Sequence, residues 1–302
     1  GENMAITIKD VAKKAAVSIT TVSKVINDYT GVSSHTKEKV LKVVQEMGYQ
    51  PNSNARSLIT RKTRSIGIFF KDHYNTGLRH PFFHDVIHGF KEAIGEQGFD
   101  IVFFANTKWG HTFSYTERSK NRNVDGVLMM GVPSSDPYLS ELLESEIPTM
   151  FVDLNIVGKK AGYVVSDNAK GAELAVDHLY RLGHHRIATV IGTNITYPTQ
   201  ERLQGYINGL KKHNLDYQSE LIGRGDFTRE GGYHAFKKLM ESDSPPTAIF
   251  YQGDMMAIGG LQAARDMKIK VPEDISIVGF DDIDAASLVT PSLTTICQDR
   301  YK

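Results

Sequence analysis

Five side chains stand where a small molecule could be held. Asp153 follows the apolar run Met150-Phe151-Val152, and Asp281 follows Ile277-Val278-Gly279-Phe280, so each carboxylate falls at the end of a strand-like segment. A carboxylate in such a place can accept hydrogen bonds from two adjacent hydroxyls at once. Arg202 lies near the beginning of a helix-like stretch, and its guanidinium can donate several bonds into the same space. Phe83 and Phe227 offer ring faces on which the apolar side of a pyranose can stack. Any one of the five could instead be a helix cap or a core aromatic; together they describe a ligand site.

A second set of reactive types lies in residues 8–27, IKDVAKKAAVSITTVSKVIN. Ile8, Val11, Ala12 and Ala15 fall at helical spacing, which gives a short helix one apolar face. Ala16-Val17 makes a corner, and Ser18 offers its hydroxyl to the free amides of a second helix. That helix buries Val22, Val25 and Ile26 and leaves Ile19, Thr20, Thr21, Ser23, Lys24 and Asn27 outside. Two short helices, the second presenting small polar and basic groups, describe a helix-turn-helix with its recognition helix. Lys24 can donate to guanine O6 or N7, Thr20 can donate or accept, and Ile19 can meet a thymine methyl. Thr7, Ser18, Thr21, Ser23, Asn27, Ser33 and Thr36 read as phosphate contacts that set the register.

The elements that must position these groups follow from pattern. Ser33 is placed to cap a third helix whose Val40, Leu41, Val44 and Met47 cover the first two, and Gly48 stands at the helix-stop position. From residue 65 onward apolar runs alternate with amphipathic stretches. Strands are predicted at 65–70, 100–104, 124–130, 149–153, 163–165, 186–191, 247–251, 275–280 and 293–297. Helices are predicted at 82–97, 138–145, 170–182, 200–213, 229–241 and 254–267. Alternation of this kind means parallel sheets covered on both faces. So many strands divide into two doubly wound lobes, with a boundary expected near 153–162 and a ligand cleft at the C-terminal ends of the strands.

Bulk properties agree with that layout without demanding it. The 302 residues carry 35 basic and 35 acidic side chains, so composition alone suggests no nucleic acid. The charges are unevenly placed: residues 1–62 hold 10 basic and 5 acidic groups, leaving 25 and 30 for the rest. A basic end on a mildly acidic body suits phosphate contact at one end. The single cysteine, Cys297, excludes an internal disulfide framework and favours a reducing, cytoplasmic setting. No signal-like leader and no membrane-length apolar run is present, and Gly1-Glu2-Asn3 before Met4 reads as a cloning remnant.

Residues 8–27 resemble the N-terminal headpiece of the lactose-repressor/galactose-repressor (LacI/GalR) family of bacterial regulators. The stretches VSDNAKGAELAVDHLYRLGHHRIATVIG, RLQGYINGL and VPEDISIVGFDDIDAASLVTPSLTTICQD are similar to that family's patterns along almost the whole body. The resemblance implies a small all-α headpiece at 5–49, a hinge helix and linker at 50–62, and a periplasmic-binding-protein-like effector-binding and dimerisation body at 63–302. It implies that Ile19, Thr20 and Lys24 choose bases, and that YQPNSNARSLIT pairs with the dimer mate's copy over the minor groove. Leu58 would then be a wedge between base pairs, with Asn52 and Ala55 along the groove. A plain linker with Leu58 packed on the core is the alternative. Phe83, Asp153, Arg202, Phe227 and Asp281 match the family's ligand-contact positions. A further helix and a final strand are implied beyond Lys302, so the chain reads as shortened.

The expected function is therefore a homodimeric, DNA-binding transcriptional regulator, a repressor in most of the family. Its near-palindromic operator would be released or gripped according to a small effector, a sugar or sugar derivative. One departure stands out: Gly253-Asp254 occupies the place where many sugar-responsive members have Asn-Asp, so the effector's identity does not transfer. The segment 71–81 is long enough for Tyr74 or His80 to reach the cleft. Two other readings remain: control by a phosphorylated protein corepressor, and a solute-binding receptor, which would have no use for residues 5–60. No nucleophile stands beside a recognisable base, so no enzyme is expected, and no cofactor. His84 and His88 lie four apart near His80, but with no third ligand they read as a solvated helix face, and no metal is expected.

Overall fold

The computed structural model describes residues 6–27, 29–49, 62–71, 78, 80–105, 114–192 and 196–300. The chain divides into two compact units, Gly1–Thr63 and Arg64–Lys302. The predicted minor-groove residues Asn52, Ala55 and Leu58 lie outside the described residues, as does Tyr74.

The first unit is built of α1 (Ile8–Ala15), α2 (Ile19–Ile26) and α3 (Ser34–Met47). Local chemistry fixes their ends. The Thr7 amide and hydroxyl both donate to Asp10 Oδ2, at 2.9 and 2.6 Å, which closes the first turn of α1. Ala16 turns left-handed at φ 51°, and the Val17 amide donates to the Ala12 carbonyl at 3.1 Å. Ser18 Oγ then accepts from the Thr21 amide at 3.0 Å, and Ser33 Oγ from the Thr36 amide at 3.2 Å, as capping residues should. Gly48, at φ 63°, ends α3 in the conformation that costs glycine least.

Val11, Ala12, Ala15, Val22, Val25, Val40 and Val43 form the headpiece core. The predicted inward face of α3 is corrected at one position: Val43 is buried, whereas Leu41 is 45% exposed. Val40, Val43, Val44 and Met47 follow the i, i+3, i+4, i+7 spacing of one helix face, and Leu41 falls off it.

The second unit contains two parallel five-stranded sheets. In the first lobe the order is β2-β1-β3-β4-β5, with β1 Ser65–Phe70, β2 Asp100–Phe104, β3 Gly126–Met130, β4 Thr149–Val152 and β5 Ala161–Val164. Its helices are α4 (Pro81–Glu96), α5 (Tyr115–Asn121) and α6 (Leu139–Glu144). In the second lobe the order is β10-β9-β8-β6-β7, with β6 Ile187–Gly192, β7 Ile222–Gly225, β8 Ala248–Tyr251, β9 Ser276–Asp281 and β10 Thr294–Cys297. Its helices are α7 (Asn168–Arg181), α8 (Tyr197–Lys212), α9 (Arg229–Met240), α10 (Asp254–Asp266) and α11 (Asp284–Leu288). The central strands β3, β6 and β8 are buried at every residue, which is why they read as unbroken apolar runs rather than alternations.

The second lobe has a core on each face of its sheet. Phe250 and Phe280 pack under α7 and α8 with Tyr206, while Ile249 and Tyr251 pack under α9 and α10 with Phe236 and Met256. Helices α7 and α8 approach so closely that a Cβ on Gly205 would overlap the Ala169 carbonyl oxygen. In the first lobe, buried Asp136 receives Lys71 Nζ at 2.7 Å, Tyr115 Oη at 2.9 Å and the Tyr138 amide at 2.9 Å. This network ties down the exit of β1.

The lobe boundary differs from expectation. Residues 161–164 pair with β4, Thr149 against Ala161, so they complete the first sheet and the crossing falls after Val164. Three elements escaped prediction: α5 and α11, and the four-residue edge strand β7, Ile-Gly-Arg-Gly, which has almost no apolar signature. In the headpiece, Val43→Ala should cost about 2 kcal/mol, from two methyls and an unfilled gap. Leu41→Ala should change stability by less than about 0.5 kcal/mol. Hydrogen exchange of the α1–α3 amides in the intact chain measures both.

Candidate functional site

The recognition-helix residues stand as follows. Ile19, Thr20 and Lys24 are exposed, and Thr21, Ser23 and Asn27 are half-buried. Ser18 Oγ shares a 2.8 Å bond with Thr21 Oγ1, and Ser33 Oγ does the same with Thr36 Oγ1. Asn27 Nδ2 donates back to the Ser23 carbonyl at 2.8 Å, which squares off the end of α2. The Thr7 hydroxyl is engaged by Asp10, whose carboxyl those bonds hold below the usual carboxylate range. Several hydroxyls picked for phosphate contact therefore also hold the helix ends in shape.

The five ligand candidates do meet. Phe83, Asp153, Arg202, Phe227 and Asp281 all line one cleft of about 600 Å³, counting its open mouth. Phe83 and Asp153 come from the first lobe, the other three from the second. His80 also lines it, as anticipated; His84 is instead largely exposed and bonds Asp85 Oδ1 at 3.1 Å. Thr196, Pro198 and Val132 complete much of the wall, and none of these was singled out from sequence.

Arg202 is the cation at the bottom. It lies in the second turn of α8, because that helix begins at Tyr197 under a Thr196 cap, three residues before the predicted start. Only 3% of it is exposed. Nε donates to Asn168 Oδ1 at 2.8 Å, and Nη1 donates to the Gln252 carbonyl at 2.6 Å while lying 3.6 Å from Asp281 Oδ1. The guanidinium also stands 3.8 Å over the centre of the Phe280 ring.

Two carboxylates feel this one guanidinium, and a third stands behind them. Burial pushes Asp153 up to about 6, with Arg202 pulling it down and Asp281 adding to the rise. Asp281 is raised by burial as well, against Arg202, His80 and the 2.7 Å bond from Gln298 Nε2. Behind it, Asp254 reaches about 7 through burial and the charge of Asp281. Asp254 opens α10 and accepts Thr295 Oγ1 at 2.5 Å and the Ile283 amide at 3.0 Å, so it holds the corner that follows β9. Backbone strain gathers at the same place: Asp153, Phe227, Asp281 and Asp282 have φ of 60°, 57°, 118° and 58°.

Arg300, also unnoticed in the sequence, spans the lobes. Nη1 donates to Asp85 Oδ2 on α4 at 2.7 Å, and Nη2 donates to the Asp282 carbonyl at 2.6 Å. Gln298 and Arg300 follow β10 directly, and polar groups just past a strand's C-terminal end are the signal that could have found them. Among the described residues no cluster of three or more His, Cys, Asp or Glu is arranged to hold a metal ion. No described helix is long and apolar enough to cross a membrane.

A helix-turn-helix unit joined to a two-lobed body with a furnished cleft is the architecture of a ligand-responsive gene regulator. Residues 7–52 match the model for bacterial regulatory proteins of the lacI family, and residues 176–300 match that of a periplasmic binding protein-like domain. The chain is 34% identical over 292 residues to the probable HTH-type transcriptional repressor ExuR of Bacillus subtilis strain 168, covering 96% of this chain and 86% of that protein. It is 33% identical over 310 residues to the HTH-type transcriptional repressor CytR of Escherichia coli strain K12, covering 100% and 87%. Among solved structures it is similar to a lac repressor dimer bound to operator and the anti-inducer ONPF, at 26% identity, TM-score 0.83 and coverage of 99% and 89%. A transcriptional regulator CelR–cellobiose complex is similar at 30% identity, TM-score 0.70 and coverage of 98% and 89%. The chain belongs to the lacI family of bacterial regulatory proteins. It is a transcriptional repressor with a ligand-binding domain, not an enzyme.

The raised Asp254 carboxyl has a consequence for stability. Its proton is held to higher pH in the folded chain than in the unfolded one, so the stabilisation is complete below about 3.8 and lost as pH rises through about 7. Asp254→Asn removes that loss. The melting temperature of the variant minus that of the unaltered chain should therefore grow between pH 5 and pH 8, read by calorimetry at constant ionic strength. A difference independent of pH would contradict the assignment.

Proposed function

We propose that this repressor acts as a homodimer on a near-palindromic operator and that a sugar or sugar derivative, bound between the lobes, sets its grip. The division of labour is a DNA-reading headpiece at 5–49, a hinge at 50–62 and an effector-binding, dimerising body at 63–302. The observation that carries the ligand assignment is the convergence of two carboxylates, a buried guanidinium and two phenylalanines from separate lobes on one cleft. Asp153 and Asp281 accept hydrogen bonds from hydroxyls, Arg202 donates to a ring or hydroxyl oxygen, and Phe83 and Phe227 flank the apolar side of the sugar. The cellobiose and lac repressor complexes among the structural relatives support the same class.

At the other end, Lys24, Thr20 and Ile19 read base edges in the major groove. Ser18, Thr21, Ser23, Asn27, Ser33, Thr36 and Thr7 contact phosphates. Asn52 and Ala55 follow the minor groove, and Leu58 wedges the central step. The dimer bound to operator in the lac repressor structure supports this arrangement. Effector binding changes the angle between lobes, which alters how the two hinges meet. Coupling of this sort is typically worth ~1–3 kcal/mol and acts in both directions. The single cysteine suits a reducing, cytoplasmic setting.

Selection from random duplexes should enrich a two-fold symmetric site, with affinity falling steeply as salt rises. Calorimetry with a sugar panel should then find a ligand whose affinity drops by about 100-fold in Arg202→Ala, because a buried charged donor set is lost. Recovery of no enriched site would remove the DNA assignment. An unchanged sugar affinity in Arg202→Ala would remove the cleft assignment.

A further inference from the structure

Strands β6 and β8 are neighbours in the second-lobe sheet, and at their C-terminal ends stand two glycines, Gly192 and Gly253. Both abut the ring of Phe227. A Cβ on Gly192 would overlap Phe227 Cε2 and stand 2.9 Å from Cδ2. A Cβ on Gly253 would stand 3.2 Å from Phe227 Cδ1 and 3.7 Å from Asp281 Oδ2. Neither glycine is there for its backbone. Gly253 has φ −175°, an extended value that any residue adopts, and Gly192 is not among the residues with positive φ. At Gly192 space excludes a side chain unless the ring moves, and at Gly253 a Cβ is tight enough that the ring must give by a few tenths of an ångström.

Phe227 is held from its own side as well. It has φ 57°, and the flanking Asp226 Oδ1 accepts the Thr228 amide at 3.1 Å and the Thr228 hydroxyl. Thr228 Oγ1 in turn accepts the Gly231 amide at 3.1 Å and caps α9. The ring is thus delivered by a fixed corner onto two bare strand ends, and it lines the cleft.

We infer that Gly192 and Gly253 are specificity-determining positions, which leave room for Phe227 at the strand ends so that the second-lobe wall presents an aromatic ring there. This deepens the sugar reading and rests on the cleft being the effector site. With the ring on the strand ends, the only polar groups contributed there by the described lining of the second lobe are Arg202, Asp281 and Thr196. The ligand must then turn an apolar face to Phe227 while its hydroxyls reach the carboxylate and the guanidinium. A pyranose meets that demand, since its axial C–H groups form a face and its hydroxyls form an edge. An amide at 253 would compete for Asp281 and for the ring's place, and would move recognition from the face to the edge.

The test uses the intact chain. Crystal structures of Gly253→Asn and Gly192→Ala should show the Phe227 ring displaced from the strand ends; a ring unmoved in both overturns the inference. Calorimetry with cellobiose, ribose and galactose should show that Gly253→Asn weakens whichever probe the unaltered chain binds by about tenfold or more. Gly162→Ala, at a position with open space around it, should leave that affinity unchanged. Equal affinity in Gly253→Asn overturns the specificity role even if the ring moves. Should Gly192→Ala fail to fold, Gly253→Asn at the cleft edge decides alone. If none of the three sugars binds the unaltered chain, the sugar reading fails, while the position of the ring still decides whether the glycines seat it.

Discussion

The cleft depends on one buried positive charge. A guanidinium with 3% exposure is tolerable only when its donors are matched, and Arg202 finds a side-chain oxygen, a backbone carbonyl, a carboxylate and a ring face, all within its own lobe. Those partners fix where Asn168, Gln252, Phe280 and Asp281 must be, and so they register α7, β8 and β9 against α8. The balance of charge is then lopsided. Asp281 lies closest to Arg202, while Asp153 of the opposite lobe is raised by burial, drawn down by Arg202 and raised again by Asp281. Across the cleft Asp153 therefore faces both the guanidinium, whose pull is the larger of the two charge effects, and the second carboxylate.

Strain marks the same edge. Four non-glycine residues at the cleft or next to it, Asp153, Phe227, Asp281 and Asp282, hold left-handed φ values. Asp281 and Asp282 are kept there by the surrounding bonds. Gln298 holds the Asp281 carboxylate, Arg300 holds the Asp282 carbonyl, and Asp254 takes the Ile283 amide from beneath. A corner over-determined in this way presents its carboxylate to the cleft with little freedom.

The readable and unreadable parts of the sequence divide by range. Helix ends were legible because their chemistry is local: Ser18, Ser33 and Gly48 each act within four residues of themselves, and each does what its type predicts. The buried strands were legible as apolar runs. Five candidate ligand residues were legible through a family pattern, and they line one cleft. What escaped is what depends on distant partners. Nothing local says that Asn168 serves Arg202, or that Arg300 reaches Asp85 across 215 residues. Leu41 read as core because it is leucine, yet helix phase rather than residue type decides burial, and Val43 holds the inward position. The lobe boundary was misplaced for a similar reason. The segment Ala161–Val164 has no inward-facing run of its own, and only its pairing with β4 assigns it to the first sheet.

Between β5 and α7 the described chain crosses from the first lobe to the second, and Gln298 to Arg300 lead back toward the first. The second of these passages is not a passive tether. Arg300 grips α4 through Asp85, two residues from Phe83, and grips the corner of Asp281 and Asp282 through a carbonyl. The elements it joins are the ones a ligand between Phe83 and Asp281 would also join. A molecule bound there would thus join the same pair of elements as the Arg300 bridge. Because the bridge is only 7% exposed on the arginine side, water screens it poorly, and it resists separation of the lobes even when the cleft is empty.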